Sequence, residues 1–124
     1  AASAGAKSVA GSLTIGILPT GPEGPVSDQV DIAVFTGLGE ARNAVNVLSS
    51  DVVVACGGEG AGTASEVALA LKSRRPIVLL APSVAAAEFF GALAGPGLLH
   101  TAATPEAAIA LVERELGIPR WRGP

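Results

Sequence analysis

Sulfur, imidazole and aromatic rings are scarce in this 124-residue chain, which has one cysteine, one histidine and 3% aromatic residues. A lone Cys56 excludes an intramolecular disulfide and a cysteine zinc cluster. A lone His100 leaves no histidine pair for a metal. Positive charge is also short: eight Lys and Arg against eleven Asp and Glu give a net charge of −3, with no basic run longer than Arg74–Arg75. That argues against a nucleic-acid partner, which needs a basic surface. No apolar run approaches the ~18 residues of a membrane span. Ala1–Ala10 has one Lys and no long apolar stretch, unlike a signal peptide. The expectation is a protein with no membrane or nucleic-acid partner, in the reducing cytoplasm.

The chain is 49% hydrophobic, and with so few aromatics its core must be Val, Leu, Ile and Ala. Its length predicts one domain over residues 1–124. Strand-like runs occur at Leu13–Leu18, Asp31–Phe35, Asp51–Cys56, Pro76–Ala81 and, shorter, Gly97–Thr101. The third and fourth are continuously apolar, as in parallel strands covered on both faces. Helical spacing appears at Gly39–Leu48, Thr63–Lys72, Ser83–Leu93 and Pro105–Leu116, the last with Thr104 as N-cap. This alternation predicts an open, doubly wound α/β fold. Thr20–Gln29, rich in Pro and Gly, is long enough for a lid. Ala1–Ala10 reads as the back half of a helix, and an α/β domain normally starts with a strand, so further elements are expected upstream.

The strongest chemical signal is the stretch from Cys56 to Glu66, with Gly57, Gly58, Gly60 and Gly62 between a strand and a helix. Glycines let backbone approach a ligand closely, and the helix start offers free N–H groups and a positive dipole end to an anion. The spacing fits neither the dinucleotide fingerprint nor a Walker A loop. Thr63 and Glu66 have the spacing of a capping box, while Glu66 could equally serve a ligand as acid, base or partner of sugar hydroxyls. A second corner, Thr36-Gly37-Leu38-Gly39-Glu40-Ala41-Arg42-Asn43, repeats the strand, glycine turn and helix. Arg42 sits in a first helical turn, where the dipole disfavours a cation, so it either pairs with Glu40 or reaches a ligand anion bidentately. Both corners belong at the carboxyl ends of strands, where open α/β sheets bind ligands. Cys56 reads as a small buried residue, His100 as structural or superficial, and Trp121 as packing at a surface or on a neighbouring subunit.

The Thr36–Asn43 run, Asp51 and Gly60-x-Gly62-Thr63-Ala64-Ser65-Glu66 together resemble the LOG superfamily, often labelled lysine decarboxylases, whose motif is P-G-G-x-G-T-x-x-E. Within it, Leu48-Ser49-Ser50, Thr63–Lys72, Pro76–Leu80 and Glu88-Phe89-Phe90 are similar to the molybdenum cofactor carrier proteins of green algae and bacteria. The resemblance runs from Gly5 to about Leu116. It implies a Rossmann-like open parallel sheet with helices on both faces, lacking here its N-terminal strands. It also implies binding, protection and carriage of molybdenum cofactor (Mo-molybdopterin), a phosphorylated pterin with a dithiolene, for delivery to molybdoenzymes. The cofactor-binding residues would be Thr36, Gly37, Arg42, Asn43, Gly57, Gly58, Glu59, Gly60, Gly62, Thr63 and Glu66. A homo-oligomer, dimer or tetramer, would use the Ala-rich helices Gly39–Leu48 and Thr63–Leu71. Cys56 replaces the motif's proline region and Asn43 a common Lys, which weakens the rival reading of a nucleoside monophosphate phosphoribohydrolase with Glu66 catalytic. A non-catalytic nucleotide sensor is the third reading.

Overall fold

The computed structural model describes residues 2–57 and 60–117. Gly58, Glu59 and Trp121 lie outside the described residues. The described residues form five short strands and five α-helices, alternating except between β1 and β2: α1 (Ala2–Lys7), β1 (Ile15–Leu18), β2 (Ile32–Phe35), α2 (Arg42–Leu48), β3 (Val53–Cys56), α3 (Ala61–Lys72), β4 (Ile77–Leu80), α4 (Val84–Leu93), β5 (Leu99–Ala102) and α5 (Pro105–Leu116). The helix expected over Gly39–Leu48 is divided. Gly39, at φ +55, lies outside the right-handed helical region, so a 3-10 turn covers Gly39–Ala41 and the α-helix starts at Arg42. The chain forms two compact units, Ala1–Val45 and Asn46–Pro124.

In the first unit β1 and β2 pair in parallel, from Ile15 opposite Ile32 to Leu18 opposite Phe35. A polar clasp closes one end of the pair. The Asp31 carboxylate accepts hydrogen bonds from Lys7 Nζ, from the Thr14 backbone N–H at 2.8 Å and from the Thr14 hydroxyl at 2.9 Å. Those donors hold the Asp31 carboxyl at about pKa 2, below its usual 3.8, with the Lys7 contact the largest cause.

In the second unit β3, β4 and β5 form a parallel sheet in that order. Alternation along β4 sends Ile77 and Leu79 to one face and Val78 to the other. Ile77 and Leu79 pack with Val67 and Ala70 of α3 and Ala86 and Phe90 of α4. Val78 packs with Ala102 and with Ala108 of α5. Helices therefore cover both faces of β4, as its apolar sequence predicts. For β3 that expectation fails: it is a sheet edge, Val54 is 44% exposed and Cys56 is exposed, not buried. An apolar run fixes the strand but does not say how many helices lie over it.

Candidate functional site

The second unit presents its glycine turn at the carboxyl end of β3. Gly57 has φ +80, a conformation that costs other residues about 1–2 kcal/mol. Its N–H donates to Leu80 O at 2.9 Å, fastening the turn to the end of β4. Gly60 is the N-cap of α3, with extended backbone and no side-chain cap.

The other two helices of this unit start differently. Ser83 Oγ accepts from the Ala86 N–H at 3.2 Å, and Thr104 Oγ1 accepts from the Ala107 N–H at 3.2 Å. Each hydroxyl satisfies one of the orphan donors at a helix start. At α3 the capping residue is a glycine, so the first-turn N–H groups of a 12-residue helix are left without that partner. A Cβ placed on Gly62, in that first turn, would meet nothing within 4 Å. Among the described residues the result is an open, positively polarised helix end.

The expected capping box is corrected by this geometry. α3 starts at Ala61, so Thr63 is its third residue and not its N-cap. The Glu66 carboxylate instead accepts a hydrogen bond from Asn46 Nδ2 at 3.0 Å. Asn46 is a partner that sequence reasoning missed, since nothing local links residues 20 positions apart.

In the first unit the second corner is a tightly bonded turn. Gly37 and Gly39 both have positive φ, +62 and +55. The Thr36 hydroxyl donates to Leu18 O at 2.6 Å and accepts from the Leu38 N–H at 3.2 Å. Gly37 N–H donates to Thr20 O, and Gly39 N–H to Pro19 O. Arg42 does not pair with Glu40: its Nη1 donates to Ile17 O at 2.9 Å, reaching back to β1. Its Nε is buried without a hydrogen-bond partner among the described residues. Asn43 is 4% exposed. Thus Thr36 and Asn43 are built into the corner.

His100 is structural, as expected. Its Nδ1 lies 3.2 Å from an Arg114 Nη and its Nε2 2.9 Å from Glu115 Oε1, tying β5 to the end of α5. Among the described residues no helix is long and apolar enough to cross a membrane.

Residues 1–109 match the model of the SLOG cluster4 family. A molybdenum cofactor binding protein from the phototrophic bacterium Rippkaea orientalis has a similar structure, with a TM-score of 0.85 at 52% identity, over 93% of this chain and 69% of that one. The Moco carrier protein from Chlamydomonas reinhardtii gives 0.83 at 52% identity, over 94% and 68%. An uncharacterised protein of Archaeoglobus fulgidus is 43% identical over 84 residues, which make up 68% of this chain and 54% of that protein. The chain thus matches little more than half the length of that relative. The structural likeness is that of an α/β, Rossmann-like fold built on parallel strands.

Proposed function

The chain belongs to the SLOG cluster4 family, and from that premise we propose that it binds, protects and carries molybdenum cofactor. The observation that carries the proposal is the N-terminus of α3 behind the glycine turn, which has no side-chain cap among the described residues, in a unit whose other helices are capped by hydroxyl side chains. Likeness to the Rippkaea and Chlamydomonas proteins supports the choice of cargo. The turn formed by Gly57, Gly58, Glu59, Gly60 and Gly62, with the Thr63 hydroxyl, receives the phosphate, Gly57 by shaping the turn, since its own N–H is bonded to Leu80 O. That suits backbone N–H donors, which bind an oxyanion without covalent attachment and release it intact. Glu66, whose carboxylate accepts from Asn46 Nδ2, completes the proposed binding set.

The corner of the first unit is an anion-binding element in its own right. Thr36, Gly37 and Asn43 shape it, and Arg42 supplies the charge. We also propose the cytoplasm as compartment, molybdoenzymes as recipients, and a homo-oligomer.

The test offers the purified protein free molybdenum cofactor. The expected result is a longer cofactor lifetime in air, followed by activation of a cofactor-free molybdoenzyme. Release of ribose 5-phosphate from adenosine monophosphate at enzymatic rates, abolished by Glu66→Gln, would overturn the proposal in favour of the hydrolase.

A further inference from the structure

The carboxyl edge of the second unit's sheet holds a second opening beside the glycine turn. A cavity of about 390 Å³ is lined by residues 81–84 after β4, Ala87 of α4 and residues 101–103 at the end of β5. The backbone ladder fixes its place. Gly57 N–H donates to Leu80 O at 2.9 Å, and Ala81 N–H donates to Ala102 O at 2.7 Å. The glycine turn, Ala81 and Ala102 therefore stand at the ends of three neighbouring strands, spaced about 4.8 Å apart.

The lining decides what fits. Among the described residues it contains no charged side chain, and the Ser83 hydroxyl already accepts the Ala86 N–H. A phosphate would find no counter-charge there. Most of the lining is alanine, with Pro82 and Val84, and its hydroxyl-bearing members are Ser83 and Thr101. Small-molecule sites are mostly apolar, with a few polar groups that orient the ligand, and span about 300–1,000 Å³. This cavity is at the lower end of that range. Its volume is that of one fused-ring heterocycle.

We propose that this cavity receives the neutral fused-ring end of a phosphorylated heterocycle whose phosphate lies at the α3 N-terminus. The inference rests on the carrier reading above and extends it with a second subsite, one or two strand spacings along the same edge. The polarised end of α3 and the apolar recess after β4 then divide the ligand between them by charge.

The experiment uses three probes: inorganic phosphate, 6-hydroxymethylpterin, and that pterin as its phosphate, with pterin fluorescence and calorimetry as readouts. Ala87→Leu fills the cavity with methylene groups. It should weaken the phosphorylated pterin about tenfold or more, the usual value of such a steric change in an apolar pocket, and leave inorganic phosphate unaffected. Val84 is 74% exposed, so Val84→Glu tests the same wall without a folding risk and should act in the same direction. Ala85→Leu, on α4 but outside the lining, should change nothing. Gly62→Val should weaken inorganic phosphate and phosphorylated pterin alike. If Gly62→Val has that effect while Ala87→Leu and Val84→Glu bind the phosphorylated pterin as the parent does, the ring subsite is overturned and the phosphate site stands. If Gly62→Val alters neither probe, the phosphate site falls, and the two-part site with it.

Discussion

In the second unit, Ile77, Val78 and Leu79 are buried completely beneath helices, whereas in the first unit the strand residues Ile15, Ile32, Val34 and Phe35 stay exposed. The buried side chains recorded in the first unit are Thr14 and Asn43, both polar. Strands of similar composition thus hold by different means. Burying a Leu or Ile side chain contributes about 1.5–3 kcal/mol, a gain available to β4 and withheld from much of β1 and β2. The first unit relies instead on hydrogen bonds: the Asp31 clasp at one end of its strands and the Thr36, Gly37 and Arg42 contacts at the other. A hydrogen bond adds a net contribution of about 0.5–1.5 kcal/mol. The two candidate corners differ accordingly: one is bonded within itself, the other is a helix end without a side-chain cap among the described residues, on a well-packed sheet.

The largest effect that could break this comparison is a truncation in each core. Leu79→Ala should cost about 2–5 kcal/mol, the range for deleting a fully buried leucine, read as a fall in the urea midpoint. Ile32→Ala, at a residue 46% exposed, should cost less than about 1.5 kcal/mol. Equal losses would mean that β2 is covered in solution, and the contrast would fail.

A smaller effect separates the two glycine turns. Gly37→Ala forces a side chain into φ +62 and should destabilise by about 1–2 kcal/mol. Gly62→Ala has no such conflict and lies in the first turn of a helix with open space around it. It should be neutral or stabilise by up to about 1 kcal/mol. Thermal melts of the two variants, compared with the parent, check both signs. A loss at Gly62 equal to that at Gly37 would show that its glycine serves the fold and not the approach of a ligand.

What could be read from the sequence was what is encoded locally. Thr104-Pro105 states its cap and first helical residue side by side, and the structure has both. The apolar run of β4 predicted burial on two faces, because the helices before and after it are also legible. Thr-x-x-Glu spacing allows a capping box but does not say where a helix starts. Gly60, three residues earlier, takes the cap because an extended glycine costs little there. The exposure of β3 and β2 was not legible, since cover belongs to the arrangement of elements and not to the strand. The contacts of Arg42 with Ile17 O and of Asn46 with Glu66 span 25 and 20 residues, beyond any local pattern. The glycine turn is legible as a motif, while the cavity after β4 is lined mainly by alanines and a Pro-Ser pair, which carry no sequence signal.

The smallest expected effect sharpens the first unit's half of the comparison through pH. Asp31 is held at about pKa 2, below 3.8, first by Lys7 Nζ and then by the Thr14 N–H and hydroxyl. A carboxyl whose pKa is lower in the folded state binds protons more readily when unfolded, so its contribution to stability changes with pH. That contribution is fully present above about pH 4 and is lost as pH falls through about 2. Acidification across that window should loosen the first unit before the second, whose buried clusters are apolar. Amide exchange in β1 and β2 should accelerate over that range relative to β4, after correction for intrinsic rates. Asp31→Asn should remove the differential and lower the first unit's protection at neutral pH. Salt should weaken the clasp as well, because Lys7 and Asp31 are partly exposed and exposed charges are screened. If β1 and β2 keep the same relative protection from pH 5 to pH 2, the carboxylate is not what holds that unit together, and its strands must be stabilised by cover that their exposure does not reveal.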